Sequence, residues 1–507
     1  MFLFILRRTL ASLVVLLLSS ALMFWLTVNS GDPLADLRGS NADNAQQLMD
    51  SRVATMNLDL PWYERYWMWL DGVVGCFTGS CDFGVNRSGQ DVLFLTGLAA
   101  QSTLRLVTAA TLIAIVVGVA LGILTAIRQY SGFDYGVTFA AFLFFSLPVF
   151  WAAVLLKEFG AIRFNDWIAN GQLGPLTIIL IALVLAFLIP STMGGTTRRK
   201  LVTGGATFAF VVVVLFLFNL LNWYRSPVSG PLVALVAACG AAVLVTAIVS
   251  GLRNRKAMYA ALTTAVVGIV AYAVLAFTPL LADPSWLGLS GLFVVAIAVS
   301  LVIGRLWGGY NKKQVMLVTG VTGALTSLIV VADILVGYWA SFLGLKSRPI
   351  STIGAQTPNF TGDFWQRLID YGTQLILPTA LLALVSIATH SRFTRSSMLE
   401  VLNQDYVRTA RAKGLSEREV VVKHAFRNSL IPITTIVAFD FAALIGGAVI
   451  TETVFGWQGM GQLFITGLRQ VDPAPVMAFF LVTGTAVVVM NLLADLAYAS
   501  LDPRIRR

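Results

Sequence analysis

Long apolar runs alternate with short polar links along almost the whole chain. Each run approaches the about 20 apolar residues that an α-helix needs to cross the hydrocarbon core of a bilayer. The pattern therefore predicts an all-α integral membrane protein, a polytopic helical bundle of about 12 spans. The predicted spans lie at residues 10–28, 102–127, 135–159, 176–193, 201–223, 231–250, 257–281, 286–303, 315–343, 374–389, 431–454 and 476–500.

Composition supports a lipid environment. Of 507 residues, 57% are hydrophobic and 12% are charged, which is half of the about 25% charged residues of a soluble protein. The net charge of +10 is explained by lysines and arginines in the short links, where membrane proteins place them on the cytoplasmic side. The chain has no recognisable nucleic-acid-binding module, so we expect the lipid bilayer as a partner and no nucleic acid.

The distribution of charge predicts the orientation of the spans. Basic links at residues 196–200, 253–256 and 305–313 alternate with links that carry little positive charge. Residues 29–100 form a long polar segment with nine acidic and four basic residues. The positive-inside rule then places both termini in the cytoplasm and residues 29–100 outside. The tail 502–507 is basic, which agrees with this orientation.

The N-terminal region predicts a retained helix followed by an extracytoplasmic segment. The first apolar run follows Arg7 and Arg8 and exceeds the 7–15 residues typical of a cleaved signal core. In the external segment, Cys76 and Cys81 are close enough in sequence to be a disulfide candidate. The aromatic stretch LDLPWYERYWMWL suits a helix at the membrane surface or a small folded scaffold, and both interpretations remain open.

A polar and basic segment, DYVRTARAKGLSEREVVVKHAFRN, separates two predicted spans and begins at Asp405. The pattern predicts a helix over 396–413 that ends at Gly414, since glycine tolerates the positive φ of a helix end. Ser416 and Glu419 form an S-x-x-E capping box that begins a second helix. A short capped helix with an apolar side is typical of a docking element on the cytoplasmic surface. Packing of the segment on its own chain is the alternative.

This segment closely resembles the cytoplasmic "EAA" loop of bacterial ABC importer permeases of the dipeptide, oligopeptide and nickel group. The chain is similar to the first or "B"-type permease of the pair, of the type I importer kind, and the similarity covers residues 1–160 and 370–507. The motifs that carry the resemblance are GDP, LDLPWYERYWMWL, CDFG, SLPVFWAA, DYVRTARAKGL, HAFRNSLIP, FGWQGMGQL and NLLADLAYASLDPRIR.

The resemblance divides the chain into six parts. They are the first transmembrane helix at 1–28, the extracytoplasmic segment at 29–100, core spans 2 and 3 at 101–160, an inserted six-span block at 171–345, an extracytoplasmic loop at 346–373, and a core at 374–507 with the coupling loop 396–430. Usual family members have about six spans, so the inserted block is a departure. A scaffold or lipid-facing extension and a docking site for an accessory protein are both open. Gln458 replaces a proline that is common in the family's external turn.

The resemblance also implies partners and a function. It predicts half of a translocation pathway in the bacterial inner membrane, with a second homologous permease, two cytoplasmic ABC ATPases and an extracytoplasmic substrate-binding protein. Short peptides are the expected substrate, and nickel chelates or other small solutes are the alternative. The residues expected in the ATPase-coupling region are Ala410, Arg411, Gly414, Leu415, Ser416, Glu417, Arg418, Glu419, Val421 and His424.

The chain is not expected to be an enzyme. It contains no G-x-x-x-x-G-K-[ST] phosphate loop, so ATP and Mg are expected in partner subunits, and no catalytic, metal or cofactor residue is predicted here. A secondary transporter is a rival, and such proteins usually carry several charges inside their spans. Asp440 is the one ionisable residue that the sequence places plainly within a span. It is a pathway candidate, or it forms a hydrogen bond between helices.

Overall fold

The computed structural model describes residues 2–39, 44–192 and 196–501. Every regular element in these ranges is helical. The helices are α1 (Phe2–Val28), α2 (Ala35–Arg38), α3 (Ala45–Met56), α4 (Trp62–Gly75), α5 (Val92–Ile127), α6 (Gly132–Ser146), α7 (Val149–Leu155), α8 (Arg163–Asn170), α9 (Pro175–Thr192), α10 (Thr197–Leu220), α11 (Pro231–Val249), α12 (Arg255–Leu275), α13 (Pro279–Ala282), α14 (Trp286–Trp307), α15 (Lys312–Leu345), α16 (Phe364–Leu402), α17 (Asp405–Ala412), α18 (Glu417–Glu419), α19 (Arg427–Gly447), α20 (Val449–Phe455), α21 (Met460–Arg469) and α22 (Pro473–Leu501).

Within the described residues, ten helices are long and apolar enough to cross a membrane. An eleventh candidate is a bent pair, Gly132–Ser146 with Val149–Asn170, and Pro175–Ser191 is a shorter apolar helix. The predicted all-α polytopic fold is confirmed. Residue 193 of one predicted span, and the basic tail 502–507, lie outside the described residues.

The predicted continuous span over 135–159 is wrong. The chain turns by 106° between α6 and the helix that begins at Val149. Pro148 stands at the break, and Leu147 before it is extended, with φ of −73° and ψ of 126°. Proline has no N–H to donate into a helix and disfavours helical geometry in the preceding residue. The π-helical turn Leu156–Ile162 then continues the chain.

Two compact units divide the chain. The first, called the core unit here, comprises residues 1–160, 352–355 and 375–507. In it, α5 and α16 approach closely through glycines spaced four residues apart. A Cβ at Gly118 would lie 2.7 Å from the Cβ of His390, and one at Gly122 would lie 2.5 Å from that of Thr394. Small residues at this spacing permit close helix packing in a membrane, so this face of α5 has no room for a side chain.

The second unit comprises residues 161–351 and 356–374. Its core is built largely from buried alanines of α11 and α12, including Ala238 and Ala265. Asp333 of α15 is buried among these helices and accepts hydrogen bonds from the Gly230 N–H (2.9 and 3.0 Å) and the Tyr272 hydroxyl (2.8 Å). The carboxylate therefore caps the N-terminus of α11, where the helix dipole favours a negative charge. Asp440 is thus not alone as an ionisable residue inside a predicted span.

Candidate functional site

The polar segment after α16 begins with a short separate helix, α17. The predicted helix over 396–413 is interrupted, because α16 ends at Leu402 and α17 begins at Asp405. Asn403 uses its side-chain amide to donate to the Leu399 carbonyl at 2.9 Å. Asparagine commonly satisfies a helix end in this way and thereby competes with continuation of the helix. The segment therefore turns before α17, which presents α17 as a separate element.

The turn after α17 has the geometry that its residues favour. Gly414 has φ of +76°, and a Cβ at this position would meet no atom within 4 Å. The Ser416 hydroxyl oxygen accepts a hydrogen bond from the Glu419 N–H at 3.3 Å. The Glu419 carboxylate pairs with Lys423, one turn further along the helix. We call residues 411–417 the coupling turn.

The chain buries part of the predicted contact surface beneath the coupling turn. Ala410 packs with Val407 and Val420, and Val421 packs with Met398 and Ala425. Both predicted contact residues are thus buried, Ala410 at 5% and Val421 at 7% exposure. Most of each side chain therefore packs within this chain, and their contact with a partner stays a prediction. The predicted second helix is the three-residue α18 followed by the π-helical turn Val420–Phe426.

The exposed part of the segment combines an apolar residue with an ion pair. Leu415 is 37% exposed. Arg411 donates to Glu417 through Nε (3.1 Å) and a terminal nitrogen (2.7 Å). This hydrogen bond lowers the pKa of Glu417 below its ordinary value. His424 is half-buried, and the side chain of Arg418 lies outside the described part of the chain.

Val422 is an exposed apolar residue that the predicted contact set omits. It follows Val421 in sequence but points away from the buried cluster. In the π-helical turn, adjacent residues face different directions, so the run of three valines divides between the interior and the surface. Val422 and Leu415 are therefore the two exposed large aliphatic residues of residues 411–426.

An ion pair with a buried carboxylate connects the first turn of α6 to α16. Arg395 donates to Asp134 through Nε and a terminal nitrogen, both at 2.9 Å. Asp134 is 2% exposed and also accepts from the Tyr130 N–H at 3.0 Å. A bidentate guanidinium–carboxylate pair of this kind fixes both distance and orientation. α16 is a single helix from this contact to Leu402, so the pair positions the helix that leads to the coupling turn.

Asp440 contacts a histidine inside the core unit. Its Oδ2 lies 3.0 Å from Nε2 of His390. The histidine is 1% exposed at its side chain and the aspartate 18%. The pair joins α16 to α19. The sequence offered two roles for Asp440, a place in the pathway or a hydrogen bond between helices, and the structure contains the hydrogen bond. His390 is therefore buried between helices, and its neighbour Ser391 is also buried.

A fully buried glutamate organises the FGWQGMGQL stretch. Glu452 accepts from the Thr103 hydroxyl (2.6 Å) and from the N–H groups of Gly461 (2.7 Å) and Gln462 (3.1 Å). The predicted span 431–454 is too long, because α19 ends at Gly447 and Glu452 lies in the separate helix α20. Gln458, which replaces the family's proline, is exposed. The sequence indicated no role for Glu452, because Thr103 is 349 residues away.

The segment 29–100, which is predicted to lie outside, contains a covalent link. The structure joins Cys76 and Cys81 in a disulfide. The bond closes the turn after α4, whose Tyr66 and Trp69 pack on Phe24 of α1. Cys239 is a free thiol. Among the described residues, no group of three or more His, Cys, Asp or Glu side chains is arranged to hold a metal ion.

Comparisons with known proteins agree with this architecture. Residues 296–507 match the model of a family described as binding-protein-dependent transport system inner membrane component. Residues 1–86 match the model of the N-terminal part of such membrane components. Both matched ranges lie mainly where the sequence resembles permeases.

Three relatives illustrate the similarity. The oligopeptide transport system permease protein OppB of Mycobacterium tuberculosis is 38% identical over 218 residues, which are 42% of this chain and 67% of the relative. The oligopeptide transport system permease protein AppB of Bacillus subtilis is 45% identical over 154 residues, 30% of this chain and 48% of the relative. The dipeptide transport system permease protein DppB of Escherichia coli is 44% identical over 138 residues, which are 27% of this chain and 41% of the relative.

Proposed function

Because this chain belongs to the family of binding-protein-dependent transport system inner membrane components, we propose that it forms half of the translocation pathway of an ATP-driven peptide importer. Its partners are a second homologous permease, two cytoplasmic ATPase subunits and an extracytoplasmic substrate-binding protein. ATP and Mg are used by the ATPases. The protein lies in the bacterial inner membrane with both termini in the cytoplasm.

The names of the relatives support peptides as the substrate class. The relatives quoted above are permeases for oligopeptides or dipeptides. These names favour peptides over nickel chelates or other small solutes. Selection among peptides then belongs mainly to the external binding protein, because that subunit captures the substrate before this chain contacts it.

The exposed coupling turn is the observation that carries the proposal. It is a short element with a positive-φ glycine, a serine cap and an exposed leucine. Ala410 and Val421 on either side of the turn are buried within the chain, whereas Leu415 is exposed and available to a groove on another protein. Apolar anchors of this kind supply much of the binding energy at protein interfaces. We assign this groove to the cytoplasmic ATPase.

Movement of the docked ATPase then reaches the membrane through packed elements. Val421 and Ala425, which follow the coupling turn in the chain, pack with Met398 of α16. The Asp134–Arg395 pair connects α16 to the first turn of α6. Rigid helices joined by buried contacts transmit displacement as bodies rather than by local deformation. A shift at the turn therefore moves α16 and the helices around it.

The docking role is tested with Leu415→Asp in the complete transporter. We expect weaker binding of the ATPase subunits and slower ATP-driven peptide uptake, because a charged group would replace the apolar anchor. Leu48→Asp is the matched control, since Leu48 is 45% exposed and lies on the segment predicted outside. Equal ATPase affinity in the two variants would contradict the docking role. Uptake that survives ATP depletion but stops when the ion gradient is removed would favour a secondary transporter.

A further inference from the structure

An apolar cavity of about 260 Å³ lies between α5, α6 and α16 in the core unit. The surface of its walls is mostly apolar, and five aliphatic or aromatic side chains, among them Val137, Ala141 and Phe142, line it together with four threonine or serine residues. Arg392 and Arg395 of α16 also line it. A cavity with apolar walls and adjacent cationic groups fits an amphiphile that carries a negative charge. Neither a water-soluble ion nor a plain hydrocarbon would use both features.

The two arginines differ in what they bind. Arg395 donates two hydrogen bonds to Asp134. The guanidinium of Arg392 lies over the rings of Phe145 (5.4 Å) and Phe393 (5.6 Å), and no ion pair with it occurs among the described residues. Guanidinium groups stack on aromatic faces while their N–H donors remain available in the plane. Arg392 is therefore held in place with its donors free for an acceptor.

The predicted topology places this site near the lipid headgroup region. Arg392 follows the predicted span 374–389, and α16 ends ten residues later at Leu402. Large side chains of α6 next to the cavity are exposed, including Phe139 at 71% and Tyr135 at 63%. An apolar surface of this kind is stable when lipid chains cover it. With the proposed orientation, Arg392 lies at the cytoplasmic leaflet, where anionic lipids attract basic groups.

We propose that this cavity binds one anionic phospholipid, with its phosphate at Arg392 and an acyl chain along the apolar walls. Arg395 is paired with the Asp134 carboxylate, so the uncompensated positive charge at the site is that of Arg392. A guanidinium binds a phosphate through two parallel N–H···O hydrogen bonds, which a lone ammonium does not reproduce. The lipid would then fill the space between α6 and α16, next to the Asp134–Arg395 pair. The cytoplasmic location rests on the proposed topology, whereas the site itself rests on the cavity and its arginines.

The test is a lipid titration of the purified full-length chain in detergent, followed by native mass spectrometry. The probes are phosphatidylglycerol, phosphatidylcholine with the same acyl chains, and inorganic phosphate. We expect phosphatidylglycerol to bind more tightly than either of the other two. Arg392→Gln should weaken phosphatidylglycerol binding about fivefold, the factor that corresponds to about 1 kcal/mol per arginine at a membrane surface. Arg105→Gln is the charge control, because Arg105 is an exposed arginine of α5 outside the cavity.

A second pair of variants tests the apolar part of the site. Ala141→Phe places a ring in the cavity and should reduce phosphatidylglycerol binding. Ala140→Phe adds the same ring on a neighbouring residue that does not line the cavity, and it should leave binding unchanged. Arg392→Lys should bind phosphatidylglycerol more tightly than Arg392→Gln but less tightly than the unmodified protein. That order would support bidentate recognition of the phosphate.

Several results would overturn the proposal. They are equal binding of phosphatidylglycerol and phosphatidylcholine, equal loss in Arg392→Gln and Arg105→Gln, and inorganic phosphate binding as tight as that of the lipid. A photo-crosslinking residue at position 142 of the assembled transporter should capture lipid. Capture of the second permease or of a peptide would refute the lipid site. The lipid titration uses the isolated chain and needs neither ATP nor ATPase, so its failure is distinct from failure of the transport function.

Discussion

Substitution of Gly414 tests whether the conformation of the coupling turn matters for transport. This residue has φ of +76°, a region in which side chains with a Cβ cost about 1–2 kcal/mol. No atom lies within 4 Å of the position that a Cβ would occupy, so the backbone supplies the whole cost. We therefore expect Gly414→Ala to disfavour the turn by about 1–2 kcal/mol, a factor of about 5–30 in its population.

The assay measures ATPase affinity and ATP-driven peptide uptake in the reconstituted transporter. Gly414→Asn is the matched control, because asparagine adopts the left-handed region more readily than other residues with a Cβ. We expect affinity to fall in the order glycine, asparagine, alanine, valine. Gly414→Val should abolish uptake, because a β-branched residue is a strong outlier at positive φ. The protein should still insert in the membrane, since the turn is exposed and lies outside the helix core.

Two results would refute this reasoning. If Gly414→Ala binds the ATPase as tightly as the unmodified protein, the left-handed conformation is not needed for docking. If Gly414→Asn loses as much affinity as Gly414→Val, the partner requires the absence of a side chain rather than a particular backbone. Both outcomes are visible in the affinity series alone, without reference to uptake.

Two further predictions concern carboxylates. Glu452→Gln should lower the stability of the core unit by about 1–3 kcal/mol, because the new amide N–H₂ would face buried N–H donors. Thermal unfolding checks this, with Glu64→Gln as the control on an exposed residue. Equal melting temperatures of the two variants would contradict the prediction. The hydrogen bond from Arg411 lowers the pKa of Glu417, so its stabilisation of the coupling turn is present above the ordinary glutamate pKa and is lost as pH falls through the lowered value. ATPase affinity should therefore weaken at acidic pH, and Glu417→Gln should remove that pH dependence. If Glu417→Gln keeps the pH profile of the unmodified protein, the Arg411–Glu417 pair is not its cause.

Local features of the chain could be predicted from its sequence. Apolar length predicted the membrane helices, because the thickness of the bilayer sets a fixed number of residues per span. The turn at Gly414 and the cap at Ser416 could also be predicted, since both depend on neighbours within four residues. The bend at Pro148 was missed although its cause is local, because the apolar pattern continues through the proline.

The tertiary structure decided which polar groups lie together and which apolar groups remain exposed. Thr103 and Glu452, or Asp134 and Arg395, are separated by hundreds of residues, and no periodicity in the sequence pairs them. Nor could the sequence divide the valines of residues 420–422 between a buried cluster and the surface, because that division depends on which helices pack against them. A sequence specifies where the chain is apolar and where it turns. The partners of each buried charge follow from the packing of helices, because a carboxylate in a low-dielectric interior is stable only where donors from other segments reach it.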